Sequence, residues 1–182
     1  MKGLKVVVLD GNDKGSPTHA RHGGYPSYIG EIQKEWLEEQ LSESDLPILI
    51  VSHQPIAGRS AIDNATDIQA LISRHKDKVI LCINGHSHVD QMVEVGGVRY
   101  IHFNSASYFW LGGKVRLAKY KDPLFATMVI DPVKEEIRID GVRSTWLDKT
   151  PEDADYFKGD KADLKDIVGP EISNRSLKLP SI

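Results

Sequence analysis

Short apolar runs alternate with longer amphipathic stretches through the first half of the chain. Residues 4–9, 47–51 and 79–83 are apolar at nearly every position and rich in β-branched side chains, which predicts strands buried on both faces. Between these runs, residues 30–41 and 64–75 repeat apolar side chains every three or four positions, which predicts two amphipathic helices. The order strand, helix, strand, helix, strand is typical of parallel strands joined by right-handed crossovers.

The pattern changes after His88, where strands are predicted without helices between them. Residues 92–95 and 98–103 flank a pair of glycines, and residues 125–130 and 136–139 flank an Asp-Pro pair. Each arrangement favours an antiparallel hairpin. Residues 104–124 between the hairpins are predicted to form a long loop. The sequence therefore predicts an α/β fold in which parallel βαβ units precede antiparallel hairpins.

The length of 182 residues fits one medium domain that can bury a sizeable core. We expect that domain over residues 1–143, followed by a polar, extended and weakly ordered tail at 144–182, where Pro, Asp and Lys are frequent. In the first helix, the apolar stripe that should face the core contains Ile32, Trp36, Leu37 and Leu41. A fully buried strand four residues from the first methionine is unusual, and it indicates a chain that begins inside a larger fold.

Composition and charge exclude two classes of function. The net charge is −3 and the basic residues are scattered, so no patch favours nucleic acid. No apolar run approaches the roughly 18 residues of a membrane span, and the first run is too short for a secretory signal. We therefore expect a cytoplasmic protein, or an exported one whose targeting segment is missing from this chain. The single cysteine, Cys82, lies in an apolar run and is expected in the core.

Histidines follow two of the predicted parallel strands. His53 follows the run at 47–51, and His86 and His88 follow the run at 79–83. Because the carboxyl ends of parallel strands meet at one edge of a sheet, we expect these three side chains to lie close together. Three imidazoles suit zinc, iron, manganese or nickel better than calcium or magnesium. On spacing alone, a metal site and ordinary hydrogen-bonded histidines are equally open.

The other histidines have simpler interpretations. His75 ends a predicted helix, where a cation suits the helix dipole, and His102 alternates within a strand, so both are expected to be structural. His19 and His22 lie in a loop rich in Gly, Ser and Pro, and their role stays open.

Two short motifs contain these histidines: SHQP at residues 52–55 and GHSH at residues 85–88. They are similar to the histidine motif and the Gly-His-X-His motif of the calcineurin-like metallophosphoesterases, a superfamily of dinuclear phosphatases and phosphodiesterases. Both follow apolar strands, in the family's order and with a helix between them. The resemblance covers roughly residues 4–140. Weaker agreement comes from three further places: Leu9-Asp10, Trp36-Leu37 and Asn104-Ser105-Ala106-Ser107.

The resemblance implies a fold, a reaction and a set of ligands. The fold would be part of a four-layer α/β/β/α sandwich, and the reaction would be hydrolysis of a small phosphate ester by a metal-activated water. His53 and His86 would bind one divalent transition metal (Mn, Fe, Zn or Ni) and His88 a second. Backbone carbonyls near Asn84 and Ser87 are candidates to orient the imidazoles.

Several of the family's motifs are absent from the sequence. The Asp-X-His and Gly-Asn-His motifs do not occur and no Gly-Asp motif precedes SHQP, so the remaining ligands and the catalytic histidine are missing, and Asp10 and Asn12 are not suitable substitutes. The chain therefore resembles the carboxyl half of such an enzyme, and we expect its activity to be incomplete. The alternative is a non-catalytic remnant or binding module that self-associates, as a dimer, through an exposed sheet edge.

Aromatic residues in the predicted loop at 104–124 have two possible roles. Tyr108, Phe109 and Trp110 could form a wall against a substrate or pack on the core, and packing is favoured. Specificity loops vary in the superfamily that the motifs resemble, and this resemblance implies that the loops at 11–29 and 104–124 are where substrate specificity would be found.

Overall fold

The structure is a computed structural model that describes residues 3–13, 26–114 and 116–180. The chain forms two compact units. The first contains Met1–His86, Met92–Ile101 and Leu179–Ile182, and the second contains Ser87–Gln91 and His102–Lys178. The boundary expected after residue 143 coincides with no limit of either unit, because the chain passes between the units more than once.

The first unit is built around a five-stranded sheet. Its elements are β1 (Lys5–Leu9), α1 (Glu31–Ser42), β2 (Ile48–Ser52), α2 (Ala65–Ser73), β3 (Val79–Asn84), β4 (Gln91–Val95) and β5 (Val98–His102). The strand order is β1-β2-β3-β5-β4, and β1, β2 and β3 are parallel. The fold is thus mixed α/β with a parallel-strand sheet, as the apolar pattern predicts. Gly96 and Gly97 have positive φ angles and form the predicted tight turn between β4 and β5.

Apolar side chains from the helices and strands form the core of the first unit. Leu37 and Leu41 of α1 and Ile68 and Ile72 of α2 are fully buried. Each such burial contributes roughly 1.5–3 kcal/mol to folding. The predicted stripe of α1 is only partly correct, since Ile32 and Trp36 are 86% and 40% exposed.

Strand β1 differs from the strand predicted there. It lies at the edge of the sheet, paired only with β2 among the described strands. Val7 is buried, as a central strand requires, but Val6 and Val8 are 53% and 65% exposed. Successive side chains of a strand point to opposite faces, so one face of β1 packs on the core and the other is open.

The second unit contains the remaining strands. They are β6 (Tyr108–Gly112), β7 (Arg116–Lys119), β8 (Ala126–Asp131), β9 (Glu136–Gly141) and β10 (Arg175–Lys178), with a 3₁₀-helix at Gly159–Asp166. The predicted hairpin β8–β9 is present, with the residues paired in antiparallel register. The predicted loop at 104–124 is instead largely the hairpin β6–β7, because Gly112 and Gly113 adopt positive φ angles and reverse the chain.

Residues 144–180 also differ from the expected extended tail. Strand β10 pairs with β9, and Leu164 and Val168 are buried in a cluster with Phe109. A polar segment can pack against a nearby apolar surface through only a few well-spaced apolar side chains. A segment of low average hydropathy can therefore still be ordered.

Two expectations drawn from composition can be compared with the structure. Cys82 is buried and forms no disulfide, and burial raises the pKa of its thiol. These properties are typical of an unreactive core cysteine. Among the described helices, none has the length and apolar character needed to cross a lipid bilayer.

Candidate metal centre

His53 and His86 stand at the carboxyl ends of two neighbouring parallel strands. His53 directly follows β2, and His86 follows β3 after one glycine; the last residues of the two strands, Ser52 and Asn84, are paired in register. The Gly85 N–H donates a hydrogen bond to the His53 carbonyl at 3.2 Å. The two loops therefore leave the sheet side by side.

This placement brings the two imidazoles into contact. Nδ1 of His86 lies 3.3 Å from Nε2 of His53, and the ring centroids are 5.0 Å apart with the planes at 71°. Two nitrogens bound to one tetrahedral zinc at ~2.0–2.1 Å would be about 3.3–3.4 Å apart. The contact is a hydrogen bond between the rings, and its spacing also fits two adjacent positions around a single metal ion.

The surroundings favour a neutral imidazole at His86. Burial lowers the pKa of His86, and the neighbouring imidazole of His53 lowers it further because two protonated rings would repel each other. Only the unprotonated nitrogen has a lone pair to offer a metal ion. The electrostatics at His86 are therefore compatible with binding a cation.

The loop after β3 has an uncommon backbone conformation. His86 and His88 have φ angles of 63° and 53°, in the left-handed region that residues other than glycine rarely adopt. Such residues concentrate at functional sites, where the surrounding structure enforces them. Between them, the Ser87 hydroxyl lies 2.9 Å from Nδ1 of His102, whose side chain is fully buried at the end of β5.

His88 belongs to the second unit, where its ring meets Tyr108 edge to face with centroids 5.0 Å apart. Its proposed part in the metal site stays a prediction. The aromatic run that begins with Tyr108 has divided roles: Phe109 is buried in the core as favoured, whereas Trp110 is 54% exposed.

The described residues do not fit the dinuclear centre that the sequence resemblance implies. Within residues 3–13, 26–114 and 116–180, no group of three or more His, Cys, Asp or Glu side chains is placed to hold a metal ion. His53 and His86 alone offer two ligands, whereas a pair of metals ~3.5–4 Å apart needs bridging and terminal ligands as well. His19 and His22, whose role the sequence leaves open, lie outside the described residues.

The loop that carries His53 is fixed by contacts that the sequence does not reveal. The Ser52 hydroxyl donates to the Gln54 carbonyl at 2.7 Å, and the Gln54 side chain donates to the carbonyl of Pro26. A Cβ atom at Gly11 would overlap the Gln54 carboxamide, so any other residue there requires the Gln54 side chain to move. The glycine after the first strand could have signalled such a close approach, but not which side chain makes it.

A buried ion pair in the second unit anchors the segment that begins with Ser87. Asp90 accepts a hydrogen bond from Arg175 at 2.8 Å and two more from the Ser173 backbone and hydroxyl, and the side chains of Asp90 and Arg175 are 7% and 12% exposed. The partners are about eighty-five positions apart in the chain, so no local pattern indicates the contact.

His75 has the structural role expected for it. Its Nε2 lies 3.0 Å from a carboxylate oxygen of Glu38, which also pairs with Arg74 at 2.6 Å. These contacts join the end of α2 to α1 and involve neither His53 nor His86.

Comparisons with known proteins give only a weak likeness. No family model matches the chain, and no curated protein matches it. Crystal structures of Vps29 from Entamoeba histolytica are similar over 95–96% of this chain and 98% of theirs: a single and a double mutant at 13% identity with TM-scores of 0.27 and 0.31, and a wild-type complex with Zn²⁺ at 14% and 0.31. Likeness at this level gives the chain neither a family nor an activity.

Proposed function

We propose that the chain is a metal-dependent phosphoesterase domain whose described residues supply two ligands of a metal site. One observation carries the proposal: the imidazoles of His53 and His86 meet at 3.3 Å at the carboxyl ends of adjacent parallel strands. This edge is where open α/β sheets collect their ligands. The resemblance of the SHQP and GHSH motifs to metallophosphoesterases supplies the reaction class, hydrolysis of a phosphate ester.

The proposal includes a limit on what these residues do by themselves. Two imidazoles without a third ligand bind a divalent metal weakly, so further ligands must come from outside the described residues. His88 remains the proposed ligand of a second ion. We assign no catalytic step to the described side chains, because no complete group of ligands lies among them.

Metal content and turnover test the proposal together. The purified protein is dialysed to equilibrium against Mn²⁺ or Zn²⁺, its bound metal is measured by mass spectrometry as the excess over the dialysis buffer, and it is assayed on bis(p-nitrophenyl) phosphate. We expect the wild type and His75→Ala to bind metal, and His53→Ala and His86→Ala to lose it. We expect little or no turnover from the wild type. Equal metal in all four proteins would contradict the site, and robust turnover that depends on His86 would show that the described ligands suffice.

A second candidate function is a non-catalytic binding module of the same fold. The observation that favours it is the open edge of β1, where Val6 and Val8 are exposed. Exposed strand edges with apolar side chains are templates for pairing with another chain. Absence of any bound transition metal, with no effect of the two histidine variants, would favour this function over the first.

A further inference from the structure

Strand β1 has backbone groups that no described strand uses. The Lys5 N–H donates to the carbonyl of Pro47 at 2.9 Å, so Lys5 faces β2. In a parallel sheet, alternate residues direct their N–H and C=O groups to the same neighbour. The backbone groups of Val6 and Val8 therefore point away from β2, toward the side where β1 is the last described strand of its sheet.

The backbone groups without a described partner end at Asp10, where the side chain of Gln33 occupies the position of a neighbouring strand. The Asp10 N–H donates to Oε1 of Gln33 at 2.8 Å, and Nε2 of Gln33 donates back to the Asp10 carbonyl at 2.8 Å. The carboxamide of Gln33 thus makes the two bonds that a neighbouring peptide group would make. The equivalent groups of Val6 and Val8 have no such cover among the described residues.

Apolar side chains border this edge on both faces of the sheet. Val6 and Val8 are exposed on one face. On the other face α1 runs in the direction opposite to β1, because Gln33 reaches Asp10 and the Gln40 carbonyl accepts a hydrogen bond from Nζ of Lys5 at 3.0 Å. Trp36 lies between those two contacts along α1 and is 40% exposed, and Ile32, one turn before it, is 86% exposed.

Among the described residues, the carboxylates around the apolar surface outnumber its one adjacent ammonium, that of Lys5, which lies against the Gln40 carbonyl. Glu35 and Glu39 flank Trp36 on α1, and neither forms an ion pair with a described residue, whereas Glu31 is paired with Lys34. A second copy of this chain docked here would bring another α1 with the same carboxylates, and like charges repel. A basic partner would gain from the same charges, so the charge selects a basic strand over a second copy.

We propose that the open edge of β1 accepts an extended segment of another polypeptide that alternates aliphatic and basic residues. Its backbone pairs with Val6 and Val8, its aliphatic side chains cover those two valines, and its basic side chains lie over Trp36 and near Glu35 and Glu39. The inference does not involve His53 or His86, so it stands or falls independently of the metal site.

The test uses a capped heptapeptide of alternating arginine and valine, with three control peptides. In one, glutamate replaces arginine; in another, the central valine is proline, which cannot donate a backbone hydrogen bond; in the third, the same residues are scrambled so that the alternation is lost. Binding is measured by fluorescence anisotropy, and amide hydrogen exchange locates it. We expect the arginine peptide to bind at least about tenfold more tightly than each control and to slow exchange at Val6 and Val8.

Paired variants separate the acidic border from general charge attraction. Glu35→Gln with Glu39→Gln should weaken binding about fivefold, and the matched control Glu135→Gln with Glu152→Gln, exposed carboxylates of the second unit, should leave it unchanged. Equal effects of the two pairs, or exchange protection away from β1, would overturn the proposal. So would a dimer in sedimentation that the peptide does not dissociate, since a second copy would then occupy the edge.

Discussion

Nε2 of His53 and Nδ1 of His86 lie 3.3 Å apart although the residues are 33 positions apart in the sequence. The contact follows from topology: β2 and β3 are adjacent and parallel, and each histidine comes just after its strand. Burial and the neighbouring His53 ring lower the pKa of His86, and the backbone at His86 has a positive φ. The proposed metal site rests on this contact.

Loss of the buried ion pair at Asp90 should strongly destabilise the second unit. Asp90→Asn leaves the guanidinium of Arg175 buried without its counter-charge, which costs roughly 3–5 kcal/mol. The control is Asp140→Asn, which removes an exposed pair with Arg138 and should cost less than about 1 kcal/mol. Urea unfolding of both variants measures the difference, and equal effects would show that burial does not govern the Asp90 pair.

Substitution of Gly11 should disturb the loop that carries His53. In Gly11→Ala the new methyl overlaps the Gln54 carboxamide, and accommodating it should cost about 1–3 kcal/mol. Gln54→Ala removes the overlapping group. In that background, adding Gly11→Ala should therefore change the free energy of unfolding little. Thermal unfolding of the three variants checks this. If the destabilisation of the double variant equals the sum of the two single effects, the overlap is contradicted.

Acid should weaken the link between the two helices of the first unit. Hydrogen bonds and charge from His75 and Arg74 lower the pKa of Glu38 below its usual 4.5. The folded state then binds the Glu38 proton less readily than the unfolded state, so the stabilisation is complete above pH 4.5 and is lost as pH falls through the lowered value. Because Glu38 is partly exposed, the effect should be about 0.5 kcal/mol.

Glu38→Gln is the variant that tests this origin of the acid dependence. The difference in unfolding free energy between the wild type and Glu38→Gln should be present at pH 6 and shrink toward pH 3, measured by urea unfolding. A difference that stays constant or grows as the pH falls would contradict it.

The parallel sheet could be predicted from the sequence because its strands are marked twice, by apolar runs and by the helices between them. The contact between His53 and His86 followed, since it needs only adjacent strands and their polarity. Strand β1 was predicted as central, whereas among the described residues it is the last strand of its sheet. An apolar run records which residues tolerate burial, while the position of a strand in the sheet depends on which neighbours are present. Val6 and Val8 are exposed for that reason.

The hairpin β6–β7 and the ordered segment around Leu164 were missed for a related reason. Gly112 and Gly113 were interpreted as part of a loop, although two glycines with positive φ also close a hairpin. Leu164 and Val168 are isolated apolar residues in a polar segment, and only the cluster with Phe109 explains their burial. Contacts at long sequence separation, such as Asp90 with Arg175, leave no local signal at all.

Cobalt titration monitored by absorption tests the central claim most directly, because Co²⁺ bound to imidazole nitrogen has visible bands that differ from those of the free ion. The wild type should bind one Co²⁺ per chain with new visible bands, His75→Ala should bind identically, and both His53→Ala and His86→Ala should lose the bands. If either of those two variants keeps wild-type bands and affinity, or if the wild type shows no bands at millimolar Co²⁺, His53 and His86 do not form a metal site.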